Sequence, residues 1–90
     1  MKKQYFNEKI ISYKQQDKHR TYNNKDYITS DWIIEQLEIS EKCYICNEIM
    51  EYNNNSYHDL NMTVDRVNND YAHIKNNCKL ACIHCNVSKK

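Results

Sequence analysis

Four cysteines fall into two pairs, Cys43-Tyr44-Ile45-Cys46 and Cys82-Ile83-His84-Cys85, each with two residues between its thiols. A C-x-x-C turn presents both sulfurs to one ion at tetrahedral angles, and two such knuckles complete a closed four-thiolate site of the kind that holds structural zinc. The 35 residues between the pairs exceed the spacing of a simple zinc ribbon, so the ion would tie together the two ends of an inserted substructure. Redox dithiols and unrelated core cysteines are the alternatives. His84, inside the second knuckle, could displace one thiolate as a ligand, although a two-residue knuckle normally binds through its ends. Cys78 has no partner at that spacing and reads as a reduced, partly buried side chain.

The chain that must position these thiols has 90 residues, enough for one core and too few for a large cofactor fold. A small core rich in Asn, Lys and Tyr is marginal, whereas a structural zinc contributes on the order of 10–16 kcal/mol of apparent binding energy. At least the C-terminal half is therefore expected to unfold when the metal is removed. Glycine and proline are both absent, which excludes P-loop and Rossmann phosphate loops and leaves tight turns to Asn and Asp. A mean hydropathy of −1.00 and the lack of a long apolar run argue against a membrane span. The start Met1-Lys2-Lys3-Gln4-Tyr5 lacks the apolar stretch of a secretory signal, so the protein is expected to be soluble and intracellular, where thiols stay reduced and favour metal.

A net charge of +1 conceals three blocks. Residues 1–25 carry seven Lys/Arg and two acids, residues 26–65 one and nine, and residues 66–90 five and one. Basic ends around an acidic middle suit a protein that touches a polyanion with its termini, because lysines near phosphates release counterions. An ordinary solvated surface gives the same pattern.

Periodicity locates the elements. Phe6, Ile10 and Tyr13 form one apolar stripe of a basic helix from Lys2 to about Arg20. A loop at 21–26 precedes Thr29-Ser30-Asp31-Trp32, where a hydroxyl cap and an acid open a second helix that ends near Ser40, with Trp32, Ile33, Ile34 and Leu37 inward. Asn53-Asn54-Asn55-Ser56 is a polar loop. Residues 61–67 read as a strand with Met62, Val64 and Arg66 on one face and Thr63, Asp65 and Val67 on the other. Asn68-Asn69-Asp70 turns it back towards a second extended stretch at 78–81, and a short helix is expected from Asn86 onward. Tyr5, Tyr13 and Tyr22, among the N-terminal lysines, could stack on bases, although aromatics at helical spacing more often belong to a core.

Taken in order, Cys43-x-x-Cys46, Thr63-Val64-Asp65-Arg66-Val67-Asn68-Asn69-Asp70, His73-Ile74-Lys75-Asn76-Asn77 and Cys82-x-x-Cys85-Asn86 with Lys89 behind it resemble the zinc-containing HNH, or His-Me finger, endonucleases. The likeness is to small phage and large-virus members and covers residues 43–90. It implies an α+β fold in a single domain, 1–90: a basic helical part, 1–42, followed by a zinc-stapled ββα-metal unit, 43–90. It also implies a catalytic Mg²⁺ or Mn²⁺ held by Asp65 and Asn86, with zinc purely structural on Cys43, Cys46, Cys82 and Cys85. Asn77 matches the family's middle Asn, which pins the hairpin loop through backbone hydrogen bonds. The family's general base is a His directly after the aspartate, and here that position is Arg66, whose guanidinium stays protonated. His73, in the hairpin return, is the best substitute base, with Ala72 standing where the family has Gly and His58 a weaker candidate. Arg66 would then clamp a phosphate, and Lys75, Lys79, Lys89 and Lys90 would join it in holding nucleic acid.

The leading expectation is thus a one-metal DNA endonuclease, a phosphodiester hydrolase acting as monomer or homodimer on DNA, with RNA or branched DNA as further substrates. So short a chain offers little surface for base readout, and low sequence specificity follows. A catalytically inactive zinc module that binds nucleic acid through its basic ends is the alternative, motivated by Arg66. A protein-interaction zinc finger using the acidic middle is a third.

Overall fold

In a computed structural model of the chain, residues 3–52 and 58–88 are described below. The expected loop at 53–56, and Lys2, Lys89 and Lys90, lie outside them. The described residues form a mixed α/β structure with three α-helices and a two-stranded antiparallel sheet.

Helix α1 spans Lys3–Gln16 and buries Phe6, Ile10 and Tyr13 along one stripe. It ends short of the expected Arg20 because the chain turns inward at Asp17, whose side chain is fully buried. Helix α2, Ser30–Ile39, starts where Thr29 caps it: the Thr29 hydroxyl accepts from the Trp32 amide at 3.0 Å, and Asp31 sits in the positive first turn. Trp32, Ile33 and Leu37 face inward, and Ile34 is half-buried.

Strand β1, Met62–Arg66, pairs with β2, Cys78–Cys82, in a register that sets Met62 opposite Cys82, Asp65 opposite Lys79 and Arg66 opposite Cys78. Alternation along β1 is incomplete: Met62 and Val64 are buried as expected, yet Asp65 on the other face is buried too. Helix α3, Ile83–Ser88, packs on both strands. It begins inside the second knuckle, three residues before the expected start, so Asn86 lies within the helix rather than at its cap. No glycine or proline interrupts the passage from strand to helix there. One hydrophobic core joins Phe6 and Ile33 from the N-terminal helices to Met62, Val64 and Ala81 from the sheet. Among the described residues, no helix is long and apolar enough to cross a membrane.

Candidate functional site

The first knuckle is the turn of a small hairpin. Lys42 bridges Ile49, the Cys43 N–H donates to the Glu48 carbonyl at 2.8 Å, and the Asn47 N–H donates to the Cys43 carbonyl at 2.9 Å. Asn47 sits in left-handed backbone at φ 65°, and among the described residues it is the one residue with positive φ. In a chain without glycine, Asn is the residue that adopts this conformation at least cost. The second knuckle runs from the end of β2 into the first turn of α3.

These two turns bring the Sγ atoms of Cys43, Cys46, Cys82 and Cys85 within 4.8 Å of one another, with Cys46 and Cys82 at 3.9 Å. A tetrahedron of thiolates around zinc, with Zn–S of about 2.3 Å, has edges of roughly 3.8 Å. The four sulfurs can therefore hold a metal ion without rearrangement of the backbone. All five cysteines are unbridged. Burial raises the Cys43 thiol, but the amides of Cys46, Cys82 and Ile45 overcome it and draw the thiol down to about 6. Cys85 is pushed up to about 12, by desolvation and by hydrogen bonds with the neighbouring thiols. Four sulfurs this close ionise together only around a cation. His84 is exposed and stands outside the cluster, and Cys78 is buried with its thiol raised to about 12 by that burial.

Asp65, Arg66, His73 and Asn86 line one cavity of about 230 Å³, with Tyr13 and Thr63 in its wall. Asp65 is supplied by β1 and Asn86 by α3, so strand and helix meet at the cavity. Asp65 is buried, and the Tyr44 hydroxyl, from inside the first knuckle, donates to its Oδ2. The Tyr44 amide also donates to the Leu80 carbonyl of β2 at 3.2 Å, which fixes the knuckle against the strand. The Arg66 guanidinium donates to the carbonyls of Asn69 (2.6 Å) and Tyr71 (3.1 Å) and braces the turn after β1.

Asn77 commits its amide to the same turn. Its Nδ2 donates to the carbonyls of Asn68 (2.9 Å) and Ala72 (3.2 Å), and its Oδ1 accepts from the Asn68 amide at 2.9 Å. Lys75 and Lys79 are exposed, and the Lys79 ammonium lies 5.4 Å from the centre of the Tyr44 ring. His58 is exposed, away from the cavity; its Nδ1 accepts from the Leu60 amide at 3.2 Å.

His73, expected as the substitute base, lies inside the protein. It is buried, its Nδ1 lies 2.8 Å from Oδ2 of Asp17, and its ring stacks on Tyr13 with centroids 4.4 Å apart. Burial lowers its pKa below the ordinary value; Asp17 pulls it upward, and Arg66 and Arg20 add to the lowering. The imidazole is thus held neutral near pH 7. Tyr13 is thus a core residue against His73, and the half-buried Tyr22 packs on Tyr27 with centroids 4.7 Å apart.

Sequence reasoning missed Asp17 and Tyr44. Asp17 continues the stripe of Phe6, Ile10 and Tyr13 at i+4 from Tyr13, and an acid in an apolar register was the available signal. Burial raises its carboxyl, but hydrogen bonds from Tyr27 and His73 outweigh that and hold it below the usual carboxylate value. Nothing local marks Tyr44, whose partner is 21 residues away. Comparison of the chain with protein-family models, with curated proteins and with solved structures finds no match.

Proposed function

We propose that this chain is a metal-dependent endonuclease of the HNH type, hydrolysing phosphodiester bonds at the cavity of Asp65, His73 and Asn86, with zinc on the four cysteines as a structural staple. The observation that carries the reading is the meeting of these three side chains, from β1, the hairpin return and α3, around one cavity beside the knuckles. A strand, a hairpin return and a helix so arranged are what a ββα-metal unit requires.

Asp65 and Asn86 offer a carboxylate and an amide oxygen, the hard donors that Mg²⁺ or Mn²⁺ takes, so the residues fit such an ion. When bound, that ion neutralises charge on the phosphate and on the leaving oxygen. His73, neutral at pH 7, accepts a proton from water. The water oxygen bonds to phosphorus, the P–O3′ bond breaks, and the 3′ oxygen takes a proton from solvent. Arg66 adds positive charge beside the phosphate. Lys75 and Lys79, and beyond them Lys89 and Lys90, hold the DNA backbone.

Supercoiled plasmid incubated with the zinc-loaded chain tests this. The expected result is relaxation when Mg²⁺ or Mn²⁺ is added and none when both are omitted with zinc retained on the cysteines. Binding that weakens steeply with salt, without cleavage under any divalent ion, would instead identify a non-catalytic nucleic-acid module.

A further inference from the structure

We propose that Asp17 is the positioning residue of His73: it holds the imidazole as the Nδ1–H tautomer and leaves Nε2 to serve the cavity as proton acceptor. The inference rests on the reading of His73 as the base, and it brings into the site a residue from outside the strand–hairpin–helix unit.

Three donors converge on one oxygen. Oδ2 of Asp17 receives the Tyr27 hydroxyl at 2.7 Å, the His73 backbone N–H at 2.9 Å and the His73 Nδ1 at 2.8 Å. The Arg20 guanidinium reaches the other oxygen, Oδ1, at 3.4 Å. The Asp17 side chain is fully buried, so water does not substitute for any of these partners. An ionised carboxylate only accepts, so the proton between Asp17 and the ring belongs to Nδ1. A neutral imidazole carries one proton, and Nε2 is then a lone-pair acceptor. Among the described residues no hydrogen bond engages Nε2, while the residue lines the cavity.

Orientation is fixed as well as tautomer. The same carboxylate oxygen takes both the backbone and the ring of His73, the His73 carbonyl accepts from the Ile28 amide at 3.1 Å, and Tyr13 lies nearly parallel to the ring at 19°. A ring turned by half a rotation would give up the bond to Asp17 and point its other nitrogen away from the carboxylate. A purely structural role would need the hydrogen bonds and not the charge.

The variant Asp17→Asn separates the two. With its carbonyl oxygen in the place of Oδ2 it can accept from all three donors, so it keeps the size and the hydrogen bonds and removes the charge. Imidazole ¹⁵N spectra of the zinc-loaded chain at pH 8 are expected to show His73 protonated at Nδ1. Single-turnover cleavage in Mg²⁺ is expected to fall on the order of 100-fold in that variant, the span of general-base catalysis, with DNA affinity unchanged. Protonation at Nε2 in the unaltered chain, or cleavage by a folded Asp17→Asn within twofold of it, overturns the proposal. If Asp17→Asn does not fold, the tautomer in the unaltered chain decides alone. If the unaltered chain cuts no DNA, the nuclease reading fails and the spectra still decide whether Asp17 sets the tautomer.

Discussion

Tyr44 joins the cysteine cluster to the cavity, since it stands between two of the four clustered cysteines and donates its hydroxyl to Asp65. Replacing it tests that link. Tyr44→Phe keeps the ring beneath Lys79 and loses only the donor, so zinc content should stay the same while cleavage falls about tenfold, the worth of a hydrogen bond to a charged group. Equal cleavage would make the contact incidental. His73 gives a second test. Its folded pKa is lowered from 6.5, first by burial, so as pH falls the unfolded chain takes up the proton before the folded one does. Stability from the neutral buried ring is therefore complete above about pH 6.5 and is lost as pH falls towards the folded value. An NMR titration of the His73 ring should show a midpoint below 6.5, and a midpoint above it contradicts the burial described here. At this scale the four cysteines were legible because their spacing is local. Asp17 and Tyr44 were not, because they act on partners 56 and 21 residues away and no short pattern records such a pairing.

Helices α1 and α2 follow directly from a 3.6-residue apolar period and a Thr cap, and β1 and β2 from alternation bounded by Asn-rich turns. The start of α3 was misread because the C-x-x-C turn looks like a loop in sequence, whereas here its backbone is already helical. The absence of glycine correctly directs attention to Asn at turns, and Asn47 is where left-handed backbone is required. Asn47→Val should cost about 1–2 kcal/mol, since a branched side chain clashes at positive φ, and the shift would be read from urea denaturation of the zinc-loaded chain. A change within a few tenths of a kcal/mol would show that the knuckle tolerates another path. Asn77 works at the same scale: by holding Asn68 and Ala72 it fixes the return that carries His73 to the cavity.

Across the whole molecule, the four sulfurs bring the first knuckle against the junction of β2 and α3, and an ion held by them would close a loop that contains the whole of β1. Apparent zinc binding energies of about 10–16 kcal/mol match or exceed the total stability of small domains, about 5–15 kcal/mol. Chelation should therefore abolish the amide dispersion of residues 43–88, and added zinc should restore it; dispersion that survives metal removal would refute the staple. The charge layout belongs to this scale too. The basic block of residues 1–25 includes Arg20, which pairs with Asp17, while Lys14 and Lys18 are exposed.

Single-turnover cleavage of a labelled DNA duplex by the zinc-loaded chain in Mg²⁺, set beside Asp65→Ala and Asn86→Ala at equal zinc content, bears most directly on the nuclease reading. The expected result is cutting by the unaltered chain and a loss of at least 100-fold in each variant, because each substitution removes an oxygen proposed to hold the ion. Cutting that persists undiminished in both variants, or no cutting by the unaltered chain, contradicts it.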